Sequence, residues 1–293
     1  MNVMDIEFPN LGLYLKDVPK TIHLFGSFTI AYYGIIIAIG ICLGILTAAH
    51  LAKKYGGNSD IVWDFAIYAV IFSIVGARTY YVIFSWDYYR HDLLSIFNLR
   101  NGGIAIYGAV IGAFATLFVY CRVKKINPFK LGDFCVPGLA IGQAIGRWGN
   151  FMNREAFGEY TDNLFAMRLP VNAVRVRDIS ESIAAHMEEG AEYIQVHPTF
   201  LYESMWNLLL FIILMTYIKH KRFDGEIILI YLGGYGLGRL WIEGLRTDQL
   251  LFPGTNTAVS QVLAGVLVVF AVVTEIIVLS VRKKKKNSIS EEK

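Results

Sequence analysis

The sequence predicts an all-α integral membrane protein: seven transmembrane helices with a small α+β extramembrane head between helices four and five. Three observations support this class. The chain of 293 residues is 55% apolar and has a mean hydropathy of +0.47. Only 17% of its residues are charged, against about 25% in soluble domains. Apolar runs of membrane-spanning length, about 20 residues, recur along the chain, and Lys and Arg cluster after every second run.

Seven apolar runs are long enough to be spans. They cover residues 28–50, 61–84, 103–121, 132–149, 200–218, 226–244 and 258–281. The N-terminus carries Asp5, Glu7 and Asp17 and has neither a basic n-region nor a small-residue cleavage pattern. We therefore expect no cleavable signal peptide, and we expect the first span to be retained.

The basic residues predict the orientation of the chain. Basic clusters follow the first, third, fifth and seventh runs: Lys53 and Lys54; Arg122, Lys124, Lys125 and Lys130; Lys219, Lys221 and Arg222; and residues 282–286. By the positive-inside rule these clusters face the cytoplasm, so the N-terminus and the loops 85–102, 150–199 and 245–257 lie outside. The C-terminal Lys run is interpreted as a topology anchor that also meets anionic membrane lipid, and not as a nucleic-acid-binding tail.

These boundaries predict four parts. Residues 1–149 hold transmembrane helices one to four behind an outer N-terminal arm, residues 150–199 form a periplasmic or extracellular head, residues 200–281 hold helices five to seven, and residues 282–293 form a basic cytoplasmic tail. The head combines partial strand-like alternation with a polar helical piece near Ser180 to Gly190. Its acidic residues Glu188, Glu189 and Glu192 are interpreted as a solvated face.

Neither a metal site nor a disulfide framework is predicted. Cys42, Cys121 and Cys135 fall within or at the ends of spans, without ligand-like spacing, and are expected to be packing residues. The six histidines are scattered and show no HExxH pattern. We expect no cofactor.

The most informative segment is GRWGNFMNREAFG, Gly146 to Gly158. A guanidinium at membrane depth is costly, so Arg147 is predicted to be functional. Arg147 and Asn150 lie three residues apart, on one helical face, and together offer donors suited to a phosphodiester. Asn153, Arg154 and Glu155 continue the polar segment at the end of the fourth span.

Other polar residues are expected at the same depth, near the outer leaflet. Arg78 and Arg239 lie near the outer ends of the second and sixth spans. Tyr33, Tyr107, His197, Tyr202 and Glu203 lie at the outer starts of the first, third and fifth spans. This coincidence of depth predicts one site open to the outer leaflet. The alternative for His197 and Glu203 is that they brace the head against the helices.

The sixth span carries a polar stripe within YGLGRLWIEGLR. Tyr235, Arg239, Glu243 and Arg246 lie at i, i+4, i+8 and i+11, so they share one helical face. The alternative is an internal Arg239–Glu243 pair that only neutralises itself. Tyr107, within NGGIAIYG at the start of the third span, has the alternative of an interfacial belt residue.

At this point a resemblance is apparent. GRWGNFMNREAFG closely resembles the hallmark motif of the bacterial phosphatidylglycerol–prolipoprotein diacylglyceryl transferases. NGGIAIYG, HPTFLYE, the YYG from Tyr32 to Gly34 and the YGLGR that ends at Arg239 resemble the same family in the same order. The resemblance spans nearly the whole chain and implies a seven-span inner-membrane enzyme with an outward-facing head.

The resemblance also implies an activity: transfer of the diacylglyceryl group of phosphatidylglycerol to the lipobox cysteine thiol of a prolipoprotein, without a cofactor. Arg147 and Arg239 match arginines assigned to the lipid phosphate. Tyr33, Asn150, Glu155, Gly158 and Tyr235 match positions regarded as essential or important. The predicted catalytic residues are Arg147, Arg239, Glu155, Tyr107, Tyr33 and Tyr235. The predicted substrate-binding residues are Arg147, Asn150, Asn153, Gly158, Arg78, Glu243 and Arg246.

One departure from the family pattern bears on the mechanism. Many members have histidine where this chain has Tyr107. Histidine titrates near pH 6.5 and can act as a base, whereas tyrosine, near pH 10, is a poor base at neutral pH. Either Tyr107 donates a hydrogen bond or relays a proton, or the arginines with Glu155 or water handle the thiol proton. We favour the second.

Two other classes of protein remain as alternatives. A transporter for an anionic solute would explain intramembrane arginines, but the cytoplasmic halves of the spans are apolar and no internal repeat is present. An intramembrane protease would need a Ser/His or paired-Asp site within the spans, and no paired aspartates occur there.

Overall fold

A computed structural model describes residues 4–25, 28–98, 102–188, 190–255 and 257–291. Asn101, which begins the NGGIAIYG segment, and Glu189 of the predicted acidic face lie outside the described residues. The chain forms two compact units, residues 1–44 with 137–293 and residues 45–136. Most described residues are helical.

Seven long helices account for most of the chain. They are α1 (Tyr32–Lys54), α2 (Ser59–Phe84), α3 (Ile106–Lys124), α4 (Pro128–Asn153), α5 (Thr199–Tyr217), α6 (Glu226–Glu243) and α7 (Val259–Glu291). Among the described residues, five segments are long and apolar enough to cross a membrane: α1, α2, α3, residues Thr199–His220 and residues Val259–Lys285. The protein is therefore a multi-pass membrane protein. In α6, Glu226, Arg239 and Glu243 place three charges within 18 residues.

The helix ends differ from the predicted runs by no more than about one turn, except at the end of α7. The first helix begins at Tyr32 and not at residue 28, because residues Phe28–Ala31 form strand β4, which pairs with β3 (Thr21–Phe25). At the other end, α7 continues to Glu291, through most of the stretch expected to be a tail.

A four-stranded antiparallel sheet is formed by the N-terminal arm and by residues 150–199, the segment predicted to be the head. Its strands are β1 (Ile6–Phe8), β2 (Leu13–Leu15), β5 (Met167–Pro170) and β6 (Tyr193–Val196), in the order β2-β1-β5-β6. The predicted alternation thus yields one strand from residues 167–170, and the N-terminal arm supplies the other half of the sheet. The polar helical piece is a single short helix, Glu181–Ala185, capped by Ser180.

One face of the sheet is buried against the ends of two long helices. Alternate side chains of β1, β5 and β6 point into this core, as the two-residue period of a strand requires. The core residues are Ile6, Phe8, Met167, Leu169, Ile194 and Val196 from the strands, together with Phe151 of α4 and Phe200 of α5. Burial of this apolar face attaches the head to α4 and α5.

Glycines allow close helix packing within each unit. In the first unit, a Cβ added at Gly44 of α1 would lie 2.7 Å from the carbonyl oxygen of Gly138 of α4. In the second, a Cβ added at Gly76 of α2 would lie 3.3 Å from the carbonyl carbon of Gly108 and the Cα of Gly112, both in α3. Such spacing brings backbones into direct contact, as small residues do between membrane helices.

Candidate active site

The centre of the candidate site is a carboxylate shared by three arginines. Glu203, in the second turn of α5, has a side chain only 5% exposed. Its oxygens lie 2.5 Å from Arg147, 3.2 Å from Arg239 and 3.4 Å from Arg246. The structure thereby brings together three arginines that the sequence analysis had placed only by depth or helical phase.

A crossing of two backbone segments places Arg246 in the site. Gly158 forms an antiparallel bridge with Arg246, and its N–H donates to the carbonyl of His197 at 3.0 Å. A Cβ on Gly158 would lie 2.7 Å from the carbonyl oxygen of Leu245 and 2.8 Å from the Cβ of His197. Gly158 therefore permits the close approach that sets Arg246 beside the start of α5, and its predicted contact with substrate stays a prediction.

The three guanidiniums are matched by three carboxylates. Glu243 forms an ion pair with Arg239 and accepts a hydrogen bond from Ser260 at 2.5 Å, while Asp248 pairs with Arg246 at 2.8 Å. The predicted internal Arg239–Glu243 pair is thus present, but Arg239 also reaches Glu203. With Glu203, Glu243 and Asp248 ionised, the formal charge of the cluster is zero.

In the loop that follows α6, Arg246 and Asp248 each favour the charged form of the other. Burial lowers the pKa of Arg246, but its hydrogen bonds with Asp248 and the charges of Asp248, Glu203 and Glu243 outweigh burial, so the pKa lies above its ordinary value. Burial raises the pKa of Asp248, yet its bonds to Arg246 bring the net pKa below the usual range. Both groups are therefore charged at neutral pH.

The remaining polar residues of the hallmark segment extend away from Arg147. Arg147 lies 3.4 Å from the Asn150 amide oxygen, and the amide nitrogens of Asn150 and Asn153 each donate to Glu155 Oε1 at 3.2 Å. The other Glu155 oxygen pairs with Arg175 at 3.1 Å. Asn150, Asn153 and Glu155 thus form a connected network on the side of Arg147 that faces the head. Arg175 is not among the residues predicted for the site.

Of two further predicted tyrosines, Tyr33 packs on α4, and Tyr235 stacks on a tyrosine of its own helix that contacts α4. Tyr33 of α1 packs on Gly149, where an added Cβ would lie 2.7 Å from its ring. Tyr235 of α6 stacks on Tyr231 with ring centroids 5.8 Å apart, and the Tyr231 hydroxyl donates to Gln143 at 3.0 Å, one turn before Arg147.

Arg78 and Tyr107 belong to the second unit. Tyr107 is the second residue of α3, is 36% exposed, and has its ring 6.3 Å from that of Tyr80 on α2. Arg78 is buried and donates to backbone carbonyls of the loop that precedes α3. The functional roles of these two residues, like those of the other site residues, stay predictions.

Arg154 and His197 contact the head. Arg154, with a left-handed φ of 56°, donates to the carbonyls of Met4 at 2.7 Å and Val18 at 2.6 Å, so it holds the N-terminal arm. His197 Nδ1 lies 3.2 Å from the Tyr202 hydroxyl, and burial lowers the pKa of this imidazole. The predicted brace therefore fits His197.

Glu203 lies at the centre of the candidate site, although it was not predicted to be a site residue. Its predicted place is the outer start of the fifth span, with a bracing role as the alternative. The available signal was its position: a carboxylate in the first turns of a membrane helix, at the depth of several arginines, needs positive partners. Among the described residues, no group of three His, Cys, Asp or Glu side chains could hold a metal ion.

The fold and the site define a multi-pass membrane protein with a buried, charge-balanced arginine–carboxylate centre. Over residues 19–277 the chain matches the prolipoprotein diacylglyceryl transferase family, and it belongs to that family. Three relatives carry the name phosphatidylglycerol–prolipoprotein diacylglyceryl transferase. That of Staphylococcus haemolyticus is 40% identical over 259 residues, 88% of each chain. That of Listeria innocua is 44% identical over 247 residues, 84% of this chain and 85% of its own. That of Clostridioides difficile is 40% identical over 269 residues, 92% of this chain and 97% of its own.

Proposed function

We propose that this protein transfers the diacylglyceryl group of phosphatidylglycerol to the lipobox cysteine thiol of a prolipoprotein, the first step of bacterial lipoprotein maturation. The bond between the glyceryl carbon and the phosphate oxygen breaks, a carbon–sulfur bond forms, and glycerol phosphate leaves. Membership of the family and the names of its relatives support this activity. The observation that carries the proposal is the convergence of three guanidiniums on Glu203.

The Glu203 carboxylate occupies the position that suits the lipid phosphate. A carboxylate is planar and a phosphate is tetrahedral, but both are anions with a pair of oxygens that can accept two N–H groups of one arginine. Arg246 already uses three of its nitrogens on Asp248 and Glu203. The phosphate therefore competes with Glu203 for Arg147 and Arg239, and binding releases Glu203 from its ion pairs.

The chemistry needs stabilisation of the departing phosphate and removal of the thiol proton. Arg147 and Arg239 supply the first, because charge develops on the phosphate oxygen as the carbon–oxygen bond lengthens. Glu155 or water takes the proton, with Asn150 and Asn153 orienting Glu155. On sequence grounds Tyr33, Tyr107 and Tyr235 also act in catalysis, Tyr107 as a hydrogen-bond donor or relay and not as the general base, and phosphatidylglycerol and the prolipoprotein are the partners.

We further propose that α4 and α6 also cross the bilayer, which makes seven spans with the head between the fourth and fifth. Their lower apolar content follows from the polar groups that they contribute to the site. The basic clusters that follow the first, third, fifth and seventh apolar runs of the sequence favour an external N-terminus and head and a cytoplasmic C-terminus in the bacterial inner membrane. Family membership does not favour the alternative of an anion transporter.

The proposal is tested with purified protein in detergent, phosphatidylglycerol and a synthetic lipobox peptide. We expect the peptide mass to rise by one diacylglyceryl group and glycerol phosphate to appear in equal amount. A peptide with serine in place of the lipobox cysteine is the matched substrate control and should not change. Uptake of an anionic solute into proteoliposomes, with no change in peptide mass, would support the transporter instead.

A further inference from the structure

Arg78 is a buried cation of the second unit, and within the described part of the chain all its hydrogen bonds go to backbone carbonyls. It lies near the outer end of α2 and is 8% exposed. Its Nε donates to Ile96, its Nη1 to Gly102 and Gly103, and its Nη2 to Ser95 and Asn98, at 2.7 to 3.2 Å. The Tyr89 ring lies 5.0 Å from the guanidinium carbon. Within the described residues, no ion pair involves Arg78.

The donors and acceptors match one to one. A guanidinium has five N–H groups, and five carbonyls accept from it. A lipid phosphate could bind Arg78 only by displacing loop carbonyls. The pattern instead suits a cation that organises the loop between α2 and α3, since the convergent carbonyl dipoles stabilise the buried charge.

Gly102 and Gly103 make this convergence possible. Both have φ of 79°, a left-handed conformation that side chains disfavour. They differ in their surroundings: a Cβ on Gly103 would collide with Arg78 Nη1 and lie 2.9 Å from the Tyr81 ring and 3.0 Å from the Tyr89 hydroxyl, whereas a Cβ on Gly102 would meet open space.

The bound loop leads directly into α3. The N–H of Ala105 donates to the carbonyl of Ala77 at 3.1 Å, and α3 begins at the next residue, Ile106. Tyr107 follows, four residues after Gly103, and its ring lies beside that of Tyr80. Every hydrogen bond from Arg78 to Gly102 and Gly103 thus restricts where the first turn of α3, and Tyr107 within it, can lie.

We propose that Arg78 is a positioning residue for Tyr107: it clamps five loop carbonyls, those of residues 95, 96, 98, 102 and 103, and so sets the start of α3 and the place of the Tyr107 hydroxyl. This rests on the proposed transferase function and on a part for Tyr107 in it. It differs from the prediction that Arg78 binds substrate. Loss of a substrate-binding residue should raise KM, whereas loss of a positioning residue should leave KM unchanged.

The test is a double-mutant cycle on the full chain, with kcat and KM for phosphatidylglycerol measured for Arg78→Met, Tyr107→Phe and the double variant. We expect Arg78→Met to lower kcat by up to about tenfold, the size of one hydrogen bond, with KM unchanged within about twofold. In the Tyr107→Phe background the further loss should be under about twofold, because contacts that act through one group are not additive. Equal losses in both backgrounds, or a raised KM, would overturn the proposal.

Arg78→Lys separates charge from geometry, since an ammonium has three donors and no planar fork. We expect it to lose as much activity as Arg78→Met. Full activity in Arg78→Lys would show that the positive charge alone suffices and would contradict the clamp.

The glycine pair provides matched variants should Arg78→Met fail to fold. Gly102→Ala and Gly103→Ala carry the same left-handed backbone cost, so a difference between them reports the collision with the clamp. We expect Gly103→Ala to reproduce the loss in kcat and Gly102→Ala to lose clearly less. Equal behaviour of the two variants would contradict the proposal.

Amide hydrogen exchange over residues 102–108 gives a readout that does not depend on activity. We expect faster exchange there in Arg78→Met and Gly103→Ala than in the wild type, with exchange in the rest of α3 little changed. Faster exchange without any wild-type transferase activity would retain the clamp and reject the proposed function. Normal wild-type activity with unchanged exchange in the variants would retain the proposed function and reject the clamp.

Discussion

At the scale of single residues, the site is a balance between arginines and carboxylates. Arg147 and Arg239 each contact Glu203, but only Arg239 also pairs with Glu243. Neither arginine is fully buried, at 21% and 17% exposure. The carboxylates of the cluster thus neutralise its arginines, while part of each guanidinium stays accessible to a ligand.

Arg147→Ala and Arg239→Ala should each abolish or nearly abolish transfer while leaving the protein folded. Loss of a charge-assisted contact to a desolvated phosphate costs on the order of 2–5 kcal/mol, about 30-fold to several thousand-fold in rate. Lysine should rescue poorly because it lacks the bidentate fork. The measurement is peptide lipidation at saturating lipid, with elution from size exclusion as the check on folding. Arg90→Ala, at an exposed surface pair with Asp87, is the control and should keep its activity. Near-normal turnover by Arg239→Ala would remove it from the site.

Glu203→Gln should move stability and lipid binding in opposite directions. Removal of the shared counter-ion takes from Arg147 its ion pair with Glu203, while Arg239 and Arg246 keep their pairs with Glu243 and Asp248, and this costs about 3–5 kcal/mol of stability. The same change removes the competitor of the lipid phosphate, so KM for phosphatidylglycerol should fall, by about tenfold for each 1.4 kcal/mol gained. Glu243→Gln is the matched variant, because Glu243 does not contact Arg147, and its effect on KM should be smaller. A higher KM in Glu203→Gln would show that phosphate does not take the place of Glu203.

The size of the loss in Tyr107→Phe decides the role of Tyr107. If the hydroxyl donates a hydrogen bond or relays a proton, Tyr107→Phe should lose about 0.5–1.5 kcal/mol, roughly tenfold at most, and Tyr107→His should stay active. Loss of a general base would cost about 10²–10⁴-fold instead. The measurement is kcat for both variants against wild type. A thousand-fold drop for Tyr107→Phe would assign proton removal to this position.

At the scale of elements, the end of the hallmark segment forms a junction, because its backbone pairs with two other segments of the chain. Residues 156–159 contact both the loop after α6 and the residues that precede α5. The backbone N–H of Glu159 donates to the carbonyl of Leu245 at 2.8 Å, and the backbone N–H of His197 donates to the carbonyl of Glu159 at 2.9 Å. Arg246 is therefore placed by backbone pairing, and the spacing of α6 alone does not determine where it lies.

Gly158→Ala should disturb this junction. The new methyl group would lie 2.7 Å from the Leu245 carbonyl oxygen and 2.8 Å from the His197 Cβ, so backbone must move. We expect a loss of about 1–3 kcal/mol in stability, as for other overpacked sites, with reduced transfer because Arg246 shifts. Gly146→Ala, in the same segment, meets only the flexible end of Ile37 at 3.3 Å and should be neutral or stabilising within its helix. Thermal unfolding in detergent distinguishes them, and equal midpoints would contradict the crowded junction.

At the scale of the whole molecule, the orientation can be tested by labelling. The three native cysteines are first replaced, since Cys42 is exposed. Cysteine at Glu188, in the head, should then react with a membrane-impermeant thiol reagent in intact cells whose outer wall is permeable. Cysteine at Arg122, in the last turn of α3, should react only after the membrane is opened. The opposite pattern would reverse the proposed orientation.

The sequence by itself determined the membrane class, the places of the long helices, the predicted orientation and most of the polar residues that meet in the site. Hydropathy and charge act locally along a chain, so the long helices could be located to within about a turn, apart from the end of α7, and Arg147 and Arg239 could be selected by their cost in an apolar segment. The helical period likewise placed Arg239 and Glu243 on one face, where they pair.

Only the tertiary structure decided which partners those polar residues have. Glu203 joins three arginines from α4, α6 and the loop beyond α6, and the N-terminal strand β1 joins β5 across more than 150 residues of sequence. Arg78 has the same residue type and predicted depth as Arg147, yet its donors go to five carbonyls, because two left-handed glycines turn the loop backbone toward it. Contacts of this kind depend on where the backbone returns in space, and neither hydropathy nor periodicity carries that information.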